Sequence, residues 1–186
     1  MVTTTLHTVE DLPSLLDSVR PWELWRGVLR PMTVTGGPHG SVICRLTAAL
    51  GPHVYGRGLG ELFCEATAFV LERAPDTVLC PDTAFVAKAR LPEGGIGPGL
   101  LELAPDLSVE VLSPGDRPAE IRAKIAAYLR LGVRAVWVID PQQRIVQIHA
   151  AGEREILLTE RDDLEGGEVI PGFRCSVAAL FAGLRA

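Results

Sequence analysis

Residues 104–141 read A-P-D-L-S-V-E-V-L-S-P-G-D-R-P-A-E-I-R-A-K-I-A-A-Y-L-R-L-G-V-R-A-V-W-V-I-D-P. Residues 107–112 are a short Val/Leu-rich run with Pro105 before it and Ser113-Pro114-Gly115 after it, the signature of a buried strand. Side chains alternate across a strand, so Glu110 shares a face with Ser108 and Leu112, while Leu107, Val109 and Val111 take the other. A carboxylate set among apolar neighbours has to be paired, hydrogen-bonded or bound to a metal, because a lone buried charge is too costly.

The next segment is predicted to be a helix that starts near Pro118, a residue favoured in a first turn, and stops at Gly132, a good C-terminal cap. Ile121, Ile125, Tyr128 and Leu129 recur at the spacing of a face turned toward a sheet. Lys124 falls between Ile121 and Tyr128 in angle, at the edge of that stripe, whereas Arg122, Ala126 and Arg130 point to solvent. Residues 135–139 are almost wholly apolar, as expected of a strand covered on both faces, and a helical crossover lays such a strand parallel to the first. The stretch is therefore a β-α-β unit with a carboxylate and an ammonium on its inner side.

Outward from this unit, residues 8–19 suggest a short helix with Thr8 and Asp11 as a capping box. Residues 21–35 suggest a hairpin turning at Arg26-Gly27. Glu23 lies in that hairpin, where a solvated carboxylate is the simpler expectation. Residues 36–40 read as a break and 41–50 as a helix, with His39 in a capping or loop position or in touch with a phosphate. The four glycines of residues 51–60 suggest a mobile loop without the spacing of a phosphate-binding loop. Residues 62–72 and 77–87 read as two strands joined at Ala74-Pro75-Asp76, with Asp82 after Pro81 in what resembles a turn. Residues 88–99 are a Gly/Pro-rich connection, a candidate flap. Residues 144–150 and 155–158 suggest a second hairpin, followed by the polar residues 159–167 and a short helix over 177–184.

The chain has 186 residues, 47% hydrophobic and 22% charged, the composition of one ordinary globular domain over residues 1–186. No apolar run approaches the roughly 20 residues that span a bilayer. The first residues lack a basic start and an apolar core, so a cytoplasmic protein is expected. Cys44, Cys64, Cys80 and Cys175 show no C-x-x-C spacing and read as buried free thiols. A net charge of −5 argues against nonspecific coating of nucleic acid but leaves a local, metal-assisted site open.

Three residues stand apart from the solvated charges: Asp82, Glu110 and Lys124. Two carboxylates and an ammonium at neighbouring strand ends suit divalent-cation and phosphodiester chemistry, since hard oxygen ligands hold Mg²⁺ or Mn²⁺ and a lysine can orient water or stabilise charge on phosphorus. The alternative for the same residues is an ion pair joining helix to strand.

The segments P-D-T-A-F-V, A-P-D-L-S-V-E-V-L-S-P, K-I-A-A-Y-L-R-L-G-V-R-A-V-W-V-I-D-P and V-I-P-G-F resemble the Uma-two family of restriction-endonuclease-like proteins of the PD-(D/E)XK superfamily, over about residues 8–181. The resemblance implies an α/β (α+β) fold: a restriction-endonuclease-like mixed β-sheet core flanked by helices, with an extra N-terminal helix and hairpin. It implies catalytic roles for Asp82, Glu110 and Lys124, with Asp82, Glu110 and the Val111 carbonyl as metal ligands. In the superfamily the lysine follows the acid by two residues; that position is Leu112 here, so the lysine has moved to the helix as Lys124. Glu23 and Glu65 are implied as supporting acids, with His39, Ser113 and Arg117 as further supporting residues. W-E-L-W-R-G departs from the family element at Arg26, where an acid or amide is usual. The implied activity is metal-dependent endonucleolytic hydrolysis of DNA by a homodimer or higher homo-oligomer, away from any membrane. The other reading is a catalytically idle homo-oligomeric interaction module that retains the fold. Arg117 and the loop of residues 51–60 are expected near the cleft.

Overall fold

A computed structural model describes residues 5–12, 22–32 and 34–185. A single 3-10 turn, Val9–Asp11, opens the described chain with the expected capping box of Thr8 and Asp11, in which the Asp11 carboxylate accepts a hydrogen bond from the Thr8 backbone N–H at 2.8 Å. The rest of the helix expected over residues 8–19 lies outside the described residues. Trp22–Trp25 (β1) and Val28–Pro31 (β2) form the hairpin, with Arg26 and Gly27 both at positive φ in its two-residue turn. That geometry matches the right-handed twist of the flanking strands.

The helix Gly37–Gly56 (α1) is twice as long as its sequence suggests. Pro38 is compatible with a first turn, and the helix runs on through Gly51 and Pro52, because Leu46, Leu50 and Val54 continue its buried stripe. The expected break at residues 36–40 and the expected loop at 51–60 are thus both largely helical.

The two long strands expected next are each divided. Gly60–Cys64 (β3) is separated from Phe69–Glu72 (β4) by a turn in which Ala66 has φ 64. Thr77–Leu79 (β5) is separated from Thr83–Ala87 (β6) at Cys80-Pro81-Asp82, where a proline cannot donate to a ladder. β4 pairs with β5 and β3 with β6, so one antiparallel excursion is shared between two sheets.

Leu107–Val111 (β7), Pro118–Arg130 (α2) and Ala135–Asp140 (β8) form the β-α-β unit, with β7 and β8 parallel and Glu110 opposite Val138. Ile145–Ala150 (β9) and Ile156–Thr159 (β10) complete a six-stranded sheet in the order β10-β9-β8-β7-β6-β3. The hairpin belongs to a four-stranded sheet, β2-β1-β5-β4. Asp163–Glu165 (β11) and Arg174–Ser176 (β12) make a small ribbon that the sequence reading missed, and the terminal helix is only Val177–Leu180 (α3).

The alternation read in β7 holds. Leu107, Val109 and Val111 pack with Trp137, Ile139 and the inner face of α1, while Leu112 packs with Tyr128, Val136 and Val138 under α2. The sheet is therefore mixed and covered by a helix on each face. Cys80 is buried, but Cys44 and Cys64 are exposed, contrary to expectation: the first lies on the outer face of α1 and the second ends β3 at a turn. Among the described residues no helix is long and apolar enough to cross a membrane.

Candidate active site

Each acid arrives from a different element. Glu110 is the fourth residue of β7 and points under α2, where Lys124 and Tyr128, one turn apart on the helix, both meet it. The Lys124 Nζ lies 2.8 Å from Glu110 Oε2, and the Tyr128 hydroxyl donates to Glu110 Oε1 at 2.7 Å. The hairpin brings Glu23 to the same ammonium, with Oε1 2.8 Å from Nζ. Glu23 is 8% exposed and also accepts the Cys80 backbone N–H at 3.1 Å. The expectation of a solvated hairpin carboxylate is thereby overturned: the face of β1 that carries Glu23 is turned toward Lys124 of α2 and the end of β5, which cover it.

Asp82 lies where the chain leaves β5 and enters β6. Its own N–H donates to the Val109 carbonyl at 3.0 Å, and its Oδ2 accepts the Val111 N–H at 2.7 Å. This is more than a turn residue: the carboxylate is locked against β7 beside Glu110. N–H and C=O of one strand residue point the same way, so the Val111 carbonyl faces the Asp82 side. Among the described residues, the side-chain hydrogen bonds of Asp82 run through Oδ2, and Oδ1 remains available.

His39 is a third departure from expectation. It sits in the first turn of α1, 4% exposed, with Nε2 3.2 Å from Asp82 Oδ2 and Nδ1 3.5 Å from Glu65 Oε1. Glu65, expected within a strand, occupies the turn after β3 with its side chain 49% exposed. Ser113 and Arg117 line the same cleft from the loop before α2. The Ser113 N–H donates to the Asp116 carboxylate at 2.6 Å, while its buried hydroxyl has no hydrogen-bond partner among the described residues. Arg117 is 79% exposed on its side chain and Arg30 stacks on Trp25 at 4.7 Å, so two cations stand at the rim. Neither residues 51–60 nor the expected flap of residues 88–99 lines the cleft.

The electrostatics follow from two acids at one ammonium, with Asp82 acting on Glu110 from the side. Burial opposes the charge on Lys124, but Glu110 and Glu23 outweigh it and raise the lysine pKa, so the ammonium keeps its proton. Burial pushes the Glu110 carboxyl up to about 8; Lys124 works against this, and the charges of Asp82 and Glu23 add to it. Burial also holds the Tyr128 hydroxyl protonated, reinforced by the neighbouring Glu110 charge. Burial disfavours the His39 imidazolium, yet the Asp82 hydrogen bond and the Asp82 and Glu65 charges raise its pKa. The Cys80 thiol is pushed up to about 12 by burial and is inert.

The residues fit a divalent cation. Glu23, Asp82 and Glu110 exceed the charge of Lys124, and a carboxylate has about four lone-pair sites, of which Glu110 uses two. Tyr128 is the site residue that sequence reasoning overlooked. It was placed in the apolar stripe, and its only signal was its position one turn after Lys124 on the face that meets Glu110.

The profile of the Uma2 family, described as "Putative restriction endonuclease", matches residues 8–178. No curated protein matches the chain. Among solved structures, a "putative nuclease belonging to DUF820" from Anabaena variabilis superposes with a TM-score of 0.79 at 20% sequence identity, covering 91% of this chain and 96% of that one. That likeness establishes a shared fold of mixed sheet and flanking helices. With the family profile spanning nearly the whole chain, from the first turn to the last helix, the protein belongs to the Uma2 family of restriction-endonuclease-like proteins.

Proposed function

We propose that the protein is a metal-dependent endonuclease that hydrolyses phosphodiester bonds of DNA. The observation that carries this reading is the position of Lys124, whose ammonium is 2.8 Å from both Glu110 and Glu23 at the wall of a cleft that Asp82 also lines. The lysine two residues beyond the acid is absent, Leu112 standing there, and the helix supplies the missing charge at the same carboxylate.

A divalent ion, Mg²⁺ or Mn²⁺, held by Asp82, Glu110 and the Val111 carbonyl would supply Lewis acidity at the scissile phosphate and a lowered pKa for the attacking water. Lys124 orients that water or donates to the charge that develops on the phosphate oxygens. Tyr128 and the Lys124 ammonium hold Glu110 in one rotamer, and the Val111 N–H does the same for Asp82. Water adds to phosphorus, the bond from phosphorus to the 3′ oxygen breaks, and the products carry a 5′-phosphate and a 3′-hydroxyl.

The cleft holds about 210 Å³, below the roughly 300–1,000 Å³ of pockets that enclose a drug-sized ligand. Its size and exposed rim suit a strand laid across it, with Arg30 and Arg117 against flanking phosphates. A double-strand cut needs two such centres, which is the reason to expect a homodimer or higher homo-oligomer. In this reading residues 1–186 act as one domain in the cytoplasm.

The test is nicking of supercoiled plasmid with Mg²⁺ or Mn²⁺, alongside calorimetric titration of the cation. Nicking that is lost in Asp82→Ala, Glu110→Ala and Lys124→Ala, with cation binding lost only in the first two, supports the mechanism. Wild-type protein that binds neither cation would overturn it in favour of the idle interaction module.

A further inference from the structure

Backbone groups can be followed strand by strand to the outer edge of the six-stranded sheet. The Ile139 carbonyl of β8 accepts the Leu112 N–H at 2.8 Å, so Ala135, Trp137 and Ile139 face β7 while Val136, Val138 and Asp140 face β9. The β9 partners of those three are His149, Gln147 and Ile145, which leaves Val146 and Ile148 to bond Leu158 and Ile156 of β10. Leu157 and Thr159 therefore turn their N–H and C=O away from β9. The Thr159 N–H accordingly donates to the Asp162 carboxylate at 2.8 Å, and its C=O accepts the Asp162 N–H at 3.0 Å. Among the described residues nothing closes Leu157 in that way.

An open row of backbone donors and acceptors invites another strand, and sheets usually guard against it with charge, proline or cover. In the four-stranded sheet β2 carries Arg30 and Pro31, and β4 is flanked by Leu101, whose carbonyl accepts the Val70 N–H at 2.8 Å. β10 reads I-L-L-T, with neither a charge nor a proline, and Ile156 and Leu157 are 48% and 55% exposed. We propose that β10 pairs antiparallel with β10 of a second copy of this chain, about a two-fold axis at Ile156.

The open groups choose the axis. Glu155, whose carboxylate lies 3.8 Å from His149 Nδ1, continues the alternation of β10 and turns its backbone outward with Leu157. With the axis at Ile156, Glu155 of each copy stands opposite Leu157 of the other, and each such pair exchanges both of its N–H to C=O bonds. An axis at Leu157 would set Glu155 opposite Thr159, whose groups Asp162 already holds. A two-fold contact of this kind uses the same patch on both copies and closes on itself.

Side chains agree with that register. Ile156 meets Ile156 of the second copy where no hydrogen bonds intervene and α-carbons approach to about 4.5 Å, and the two Leu157 side chains lie diagonally on the other face. Arg154 of each copy falls opposite Leu158 of the other. There Leu158 and Ile156 border a groove floored by Trp137, Ile148 and Val169, with Glu168 at its rim. Among the described residues neither Arg154 nor Glu168 has an ion-pair partner within its own chain, so the contact brings together two opposite charges that the single chain leaves apart.

The pairing gives a surface to the homo-oligomer of the nuclease reading, yet it stands on the strand alone and is read from mass. Sedimentation velocity over a concentration series is expected to take wild type from 20.0 kDa to twice that mass. Leu157→Lys, at an exposed site that the fold tolerates, is expected to remain monomeric. Arg154→Glu is expected to weaken dimerisation by about ten-fold, because the two-fold counts the change twice. Ile156→Cys is expected to form a disulfide between copies, assigned to residue 156 by mass mapping, apart from the exposed Cys44 and Cys64. Wild type that stays monomeric throughout leaves the edge to some other partner and overturns the proposal. A dimer that survives both Leu157→Lys and Arg154→Glu, or one in which residue 156 never bridges, overturns it too. Plasmid nicking is scored on the same preparations: a dimer that does not nick upholds this surface and overturns the nuclease reading, and a monomer that nicks does the reverse.

Discussion

The Tyr128 hydroxyl donates to Glu110 Oε1 at 2.7 Å, with both groups buried, so an aromatic residue of the helix stripe holds an acid of the central strand. Tyr128→Phe leaves that oxygen without its donor. The expected cost is about 1–3 kcal/mol of stability, measured by urea unfolding of the cation-free protein. Cation affinity at neutral pH is expected to fall too, because the Glu110 carboxyl loses a bond that its charged form prefers. Unchanged unfolding and binding would show that the hydroxyl does nothing for the acid.

Lys124→Ala removes the ammonium between Glu23 and Glu110 and leaves two covered carboxylates facing each other. Breaking such a buried pair costs about 3–5 kcal/mol. Added Mg²⁺ is expected to restore part of the loss, since a dication replaces the missing charge. Denaturation curves with and without Mg²⁺ test this, and a variant insensitive to the cation would count against the acids facing a common site.

A raised carboxyl pKa means that the folded chain holds the Glu110 proton more tightly than the unfolded chain does. Its contribution to stability is complete below about 4.5, the unfolded value, and is lost as pH rises through about 8. Glu110→Gln has nothing to titrate there, so the stability of wild type relative to this variant should fall across that window. Thermal melts in chelator over that range are the measurement, and parallel curves would refute it. Cation affinity should rise over the same window, by up to about ten-fold per pH unit where one proton is displaced.

Arg26 has φ 49 beside Gly27 at φ 82, and its side chain is exposed. Left-handed backbone costs a side chain such as arginine about 1–2 kcal/mol, and asparagine tolerates it better. Arg26→Asn is expected to stabilise the hairpin by about 1 kcal/mol without altering cation binding. A lower melting temperature would show that the arginine makes a contact that offsets its strain.

Gly60 begins β3 with its α-carbon against β6. A Cβ built there would lie 2.0 Å from the Val86 carbonyl oxygen, and backbone cannot step aside as a side chain can. Gly60→Ala is expected to cost at least about 1–3 kcal/mol, measured by chemical denaturation.

Much of the centre was legible because the β-α-β unit is local. The anomaly of Glu110 in an apolar run, and the angle of Lys124 at the stripe edge, were both readable within fifteen residues, and the two groups meet. What escaped depends on partners far along the chain. The burial of Glu23 follows from its meeting Lys124 and Cys80, far along the chain, and that of His39 from packing near Asp82. The division of residues 77–87 at Pro81 was written in the proline, but its meaning lay in pairing with β4 and β3. The length of α1 was obscured by Gly51 and Pro52, whose local preference is outweighed by the apolar stripe around them.

Asp82 occupies the joint at which the chain passes from the four-stranded sheet to the six-stranded one, while Glu23 belongs to the first sheet and Glu110 to the second. The three acids consequently converge only after the two sheets have docked. A half-unfolded chain carries every one of these residues and yet does not bring them together, so the cluster is a property of the assembled fold and not of any one segment.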